Sequence, residues 1–102
     1  MKTVSLVALL ASLGSVSLYA QTSVEPQAGL VPTAETAIAI AVAVFKPIYG
    51  AESIASQQPF HATLRAGVWH VSGSLPAGMR GGTAQAEVNR KDGRILRVWH
   101  SK

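Results

Sequence analysis

The side chains in this chain that are equipped for acid, base or metal chemistry are few: five carboxylates and three histidines, with no cysteine at all. The carboxylates lie far apart, at Glu25, Glu35, Glu52, Glu87 and Asp92. Acid pairs that cleave glycosidic bonds must flank one bond, and a general base must reach the proton it takes, so this scatter argues against a hydrolase. A Ser-His-Asp set would have to draw on Asp92, whose setting in Lys91-Asp92-Gly93 reads as a solvent-facing turn and a poor place from which to orient an imidazole. The absence of cysteine removes disulfides, a thiol nucleophile, thiolate-bound zinc and a lipid-modified cysteine. His61 and His70 are brought to one face of a sheet by the strand register derived below. They lack a third strong ligand there, and His100 turns to the other face, so neither a metal nor a cofactor is expected. Gly81-Gly82 beside Arg80 has the composition of an anion cradle, but paired glycines in a connection more commonly supply backbone freedom.

What remains is recognition chemistry. Trp99 and Arg97 fall on an otherwise polar sheet face with His70 and His61, and Arg80 lies on an adjoining loop. Exposed Trp and Arg are residue types that anchor protein interfaces, so Trp99, Arg97, His70, His61 and Arg80 are the candidate partner-binding residues. The alternative reading is that the N-terminal tether or a neighbouring subunit simply covers Trp99.

The elements that must position these residues follow from the order of the chain. Residues 1–20 read as a secretory signal: a basic start at Lys2, an apolar stretch from Val4 to Val16, and small residues before a cut at Ala20/Gln21. The apolar stretch is shorter than the roughly 20 residues of a membrane span, which implies export and no membrane anchor once it is removed. Cleavage would leave roughly 80 residues, enough for one domain with one modest core. With Lys2 gone the net charge is about +3 and no run of like charges exists, so nucleic-acid binding is not expected. An exported domain without disulfides suits a bacterial periplasm.

Residues 21–31 are polar and Pro/Gly-containing and read as a flexible tether, leaving the domain to span 32–102. Thr33 is a helix cap, Glu35 suits the first turn, and Ile38, Val42, Phe45 and Tyr49 recur at helical spacing. Pro47 should kink or end this helix near Lys46, with Gly50 closing the last turn. The helix has no clean polar face, so a second cover is needed at Ile40 or Val44: a curling sheet, or else a partner or second copy in a homodimer.

From Phe60 the period becomes two. Ala66-Gly67 makes a two-residue hairpin turn that pairs Leu64 with Trp69 and Ala62 with Val71. Arg90-Lys91-Asp92-Gly93-Arg94 suits a three-residue loop with a left-handed Gly, which faces Arg90 with Arg94, Val88 with Leu96, Ala86 with Val98 and Glu87 with Arg97. The outcome is an α+β domain, one N-terminal helix packed on a curved four-stranded antiparallel meander. Phe60, Ala62, Leu64, Trp69, Val71, Leu75, Ala84, Ala86, Val88, Leu96 and Val98 then point to the helix. Ile95 and Trp99 point away with the polar residues His61, Thr63, Arg65, His70, Ser72, Gln85, Glu87, Asn89 and Arg97.

The ordered segments "KPIYG" (Lys46 to Gly50), "QPFHATL" (Gln58 to Leu64), "WHVSGSLP" (Trp69 to Pro76), "GGTAQAEVNRKDGRIL" (Gly81 to Leu96) and "HSK" (His100 to Lys102) resemble the nuclear transport factor 2 fold immunity proteins of bacterial polymorphic toxin systems. The resemblance runs from Pro32 to Lys102. It implies a reduced, cystatin-like version of the nuclear transport factor 2 cone, with one helix before the sheet where the full cone has three. It also implies a non-catalytic protein that binds and neutralises a cognate secreted toxin, here in the periplasm. No binding residue is carried over from it. The competing reading is a periplasmic module for a small molecule or envelope ligand on the same fold, which a deep apolar pocket would favour.

Overall fold

The computed structural model describes residues 22–102; the signal sequence read at residues 1–20 lies outside the described residues. Helix α1 (Ala34–Tyr49) is followed by a short helix α2 (Ala51–Ala55) and by strands β1 (His61–Arg65), β2 (Val68–Ser72), β3 (Ala84–Asn89) and β4 (Ile95–His100). The strands form one antiparallel sheet in the order β1-β2-β3-β4, and α1 lies across β1, β2 and β3. The α+β meander expected from the sequence is the architecture found.

Helix α1 begins where Thr33 Oγ1 accepts a hydrogen bond from the Thr36 N–H at 3.3 Å, satisfying one of the helix's free donors. Its most buried line is Ala37, Ala41 and Phe45: Phe45 belongs to the expected stripe, while Ala37 and Ala41 each lie one position before its Ile38 and Val42. The alanines let the helix approach the sheet closely, while Ile38, Val42 and Tyr49 flank the contact as partly buried neighbours. Pro47 does not end the helix. Its missing N–H would have served Ala43, which is exposed and can be solvated, so one more turn forms before Gly50, at φ +93°, donates its N–H to the Lys46 carbonyl.

Helix α2 was not apparent in the sequence. It buries Ile54 completely and delivers Gln57, whose Oε1 accepts from the Ala84 N–H at 2.7 Å and whose carbonyl accepts from the Ser74 N–H at 2.7 Å. These bonds tie the segment ahead of β1 to both ends of the β2–β3 connection.

The first hairpin has the expected register: Leu64 opposes Trp69 and Ala62 opposes Val71. Ala66 and Gly67 both take positive φ, +50° and +77°, as a primed two-residue turn requires. The second hairpin departs from expectation. Asn89, not Arg90, meets Arg94, donating its N–H to the Arg94 carbonyl at 2.9 Å. Arg90 is engaged elsewhere: its N–H reaches the Gly67 carbonyl and its own carbonyl accepts from the Val31 N–H, at 3.0 Å each. Val88 therefore faces Ile95, and the ladder shifts between Glu87 and Val88 so that Glu87 still faces Arg97 and Ala86 still faces Val98. Leu96 is the extra residue of this β-bulge. The two sequence assignments on β4 thus exchange places, with Ile95 packed against the core and Leu96 exposed.

Leu64 and Leu75, read as inward-facing, are also exposed. Leu64 closes an edge strand at the hairpin tip and Leu75 belongs to the β2–β3 connection. The core itself centres on Phe45, Ile54, Val31, Val71 and Val88, all fully buried, with Trp69, Phe60, Ala84 and Ala86 beside them. Phe45 and Phe60 stack with ring centroids 5.8 Å apart.

Val31 belongs to the segment read as a tether, yet it is among the most buried residues of the protein. Its carbonyl accepts the Trp69 indole N–H at 2.8 Å, and the Leu30 N–H bonds the Lys91 carbonyl at 2.9 Å. Gly29 to Val31 thus form a strap along the β3–β4 turn. Val31 and Ile40 both approach Gly93, so the strap supplies part of the second cover that the apolar helix needs.

Candidate functional site

Because α1 lies on one face of the sheet, the alternate residues of the four strands look outward. Register places Thr63, His70, Glu87 and Arg97 in one row across this face, and His61, Ser72, Gln85 and Trp99 in the next. The extra residue Leu96 matters here. Had β4 continued without a bulge from the pair Val88 and Ile95, strand alternation would turn Arg97 and Trp99 inward and Val98 outward. The bulge restores the parity that keeps Arg97 and Trp99 on the outer face.

Three of the five candidate residues come together. The Arg97 guanidinium carbon lies 4.1 Å from the centroid of the Trp99 ring, a cation–π contact. The His70 ring runs nearly parallel to Trp99, with 10° between the planes and 5.6 Å between the centroids. His70 Nε2 lies 2.7 Å from Gln85 Oε1, a hydrogen bond that fixes the ring on this face. Trp99 is half-buried by this company, whereas the strap is held at Trp69 and the β3–β4 turn.

These side chains border a concavity of about 730 Å³. A twisted sheet is hollow along one diagonal of each face, and the bulge at Leu96 adds local twist beside Arg97. The hollow runs from Thr63, Leu64, Arg65 and Ala66 at the end of the first hairpin to Arg97 and Trp99 on β4. Val68, His70 and Glu87 lie between.

His61 shares the outer face but is exposed and does not line the hollow, and Arg80, exposed on the β2–β3 connection, does not line it either. Arg65 and Val68 do line it without having been singled out as contact residues. The alternation of β1 put Arg65 on the outer face, and the pairing of Val68 with Arg65 puts Val68 beside it. His100 is found on the opposite face, edge-on to Tyr49 of α1 with centroids 5.4 Å apart.

Nothing in this arrangement is set up as an acid–base pair. His70 is engaged with Gln85, and among the described residues no three of His, Asp and Glu gather closely enough to hold a metal ion. The face combines an aromatic plate, two guanidinium groups, one carboxylate and apolar flanks, which is the composition of a recognition surface.

Comparison with protein-family models matches residues 36–102 to the family described as NTF2 fold immunity protein. The matched span takes in nearly all of α1, the whole sheet and every residue of the outer-face hollow, and leaves the strap outside. No curated protein and no solved structure matches the chain.

Proposed function

The chain belongs to the NTF2 fold immunity protein family, and from that premise we propose that it is a periplasmic, non-catalytic inhibitor that binds a cognate secreted toxin through the outer face of its sheet. The family supports toxin neutralisation, and the signal-like residues 1–20 support action in the envelope. The observation that carries the choice of surface is the Trp99, His70 and Arg97 cluster. An indole held by a stacked imidazole and a guanidinium is preorganised, so little side-chain entropy is lost on binding.

The small-molecule reading draws support from the volume of the hollow, which lies within the range of ligand sites. Its lining favours a protein: Arg65, Glu87 and Arg97 suit a charged, flat partner better than an enclosed ligand.

Binding to a cognate toxin tests the surface. Trp99→Ala combined with Arg97→Ala is expected to weaken the complex by more than about 2 kcal/mol while the free protein melts nearly as before. A large fall in melting temperature, with normal binding by the fraction still folded, would remove this face from the mechanism. The compartment is tested separately by a chain that starts at Gln21. Kept in the cytoplasm, it should fail to protect cells from an envelope-acting toxin, and full protection would overturn the periplasmic assignment.

A further inference from the structure

The two arginines of the hollow stand in different electrostatic surroundings. Arg97 faces Glu87 across β3 and β4, so its charge has a carboxylate in its own row. Arg65 faces Val68, which in turn faces Asn89, and that row holds no acid. Arg65 is exposed, and its guanidinium has no hydrogen-bond partner among the described residues. Its neighbours in the lining, Leu64, Ala66 and Val68, are apolar. The hollow therefore ends in an uncompensated cation on an apolar shelf, with the Trp99 and Arg97 plate at the other end.

We propose, building on the toxin-binding reading above, that the hollow receives an acidic segment of the toxin, with a carboxylate paired to Arg65 and a neighbouring aromatic side chain laid against Val68 and Trp99. A guanidinium presents a planar fork that matches a carboxylate through two parallel hydrogen bonds, and apolar flanks strengthen that pairing by excluding water. The net charge of about +3 left once Lys2 is removed with the signal adds long-range steering of an acidic partner. A neutral glycan strand fits less well. It offers Arg65 no anion, and Arg97 already lies over the indole ring on which a sugar would stack.

The two tryptophans make the test self-controlled. Trp69 donates its indole N–H to Val31 on the helix side of the sheet, while Trp99 lines the hollow, so their indole resonances report on opposite faces. The probe is an eight-residue synthetic peptide in which two aspartates flank a phenylalanine, titrated into the protein alongside the same peptide with asparagines. The acidic peptide should shift the Trp99 indole and Arg65 side-chain signals saturably and leave Trp69 in place. The asparagine peptide should bind about tenfold more weakly. Arg65→Ala should lower the affinity for the acidic peptide about tenfold, and Arg65→Lys should recover part of it. Equal binding of the two peptides, no effect of Arg65→Ala, or no saturable shift at Trp99 overturns the proposal. A shift at Trp99 given by N,N′-diacetylchitobiose, an uncharged disaccharide, and not by the acidic peptide overturns it in favour of a glycan. A protection assay separates this inference from the reading beneath it. Wild-type protein that fails to protect refutes toxin neutralisation itself, whereas equal protection by wild type and Arg65→Ala refutes only the acidic-segment contact.

Discussion

The β1–β2 hairpin closes through Ala66 and Gly67 alone, and every pair from Leu64 and Trp69 onward follows from that turn. The β3–β4 hairpin closes through residues that also serve another segment, because the strap takes the carbonyls of Arg90 and Lys91. Withdrawing Arg90 from pairing with Arg94 moves Ile95 opposite Val88, and the strand must then hold an extra residue, Leu96, before Glu87 and Arg97 meet. Register is local information in the first hairpin. In the second the turn's own bonds, from the Lys91 N–H to Asn89 Oδ1 and from the Arg94 N–H to Asp92 Oδ1, are joined by bonds to residues some sixty positions earlier in the chain. The second is also the hairpin that supplies Arg97, Trp99 and Glu87 to the hollow, so the strap indirectly sets the geometry of the candidate binding face.

The most severe way to break this arrangement is to remove Trp69, which packs in the core and holds Val31 through its indole N–H. Trp69→Ala should lower stability by about 3–5 kcal/mol, the usual effect of truncating a large buried aromatic. Trp69→Phe should cost about 1–2 kcal/mol, since most of the packing survives and one buried carbonyl loses its donor. Denaturant unfolding of both variants measures the two contributions. A loss near zero for Trp69→Phe would mean that the hydrogen bond to the strap carries no separate weight, and equal losses that the ring packing carries none.

A milder break acts on the strap alone. Gly29 has φ +89°, and a Cβ placed there would lie 2.5 Å from the Arg90 carbonyl oxygen. Gly29→Ala must therefore lift the strap or strain the turn, at about 1–3 kcal/mol. Amide hydrogen exchange should quicken at Leu30, Val31 and Asn89 while Leu64 and Trp69 in the first hairpin keep their protection. Uniform loss across both hairpins would show that the strap supports the whole sheet and not the second turn in particular.

The same contrast explains what the sequence disclosed. The helix from Thr33, the first hairpin and the meander were legible because each is written in local periodicity and turn chemistry. The exchange of Ile95 and Leu96 was not, because the hydrophobic pattern is satisfied by either residue and Arg90 is held away from Arg94 by bonds to Val31 and Gly67, both distant in sequence. Helix α2 escaped notice because five residues hold little more than one turn, with Ile54 as the single buried side chain. On the candidate face, Trp99, Arg97 and His70 could be grouped in advance since alternation alone puts them on one side. The place of Arg65 in the hollow could not, because it depends on how the twisted sheet curves around an uncovered diagonal.

The smallest expected effect lies in the turn that worked as read. Ala66 has φ +50°, in the left-handed region that costs an L-residue with a Cβ roughly 1 kcal/mol. Asn tolerates this region because its short polar side chain bonds locally, and Asn-Gly is the favoured pair for a primed two-residue turn. Ala66 is exposed, so the larger side chain meets solvent. Ala66→Asn should then stabilise the protein by about 0.5–1 kcal/mol, raising the melting temperature by about 2–8 °C for a domain of this size. Ala66→Gly should gain less, since glycine relieves the same strain but gives the unfolded chain more freedom to lose. Thermal melting of the two variants beside wild type decides the point. An order of Asn above Gly above wild type fits a turn that sets its register unaided, whereas a lower melting temperature for Asn would mean that packing around the hairpin tip, and not the turn, holds β1 against β2.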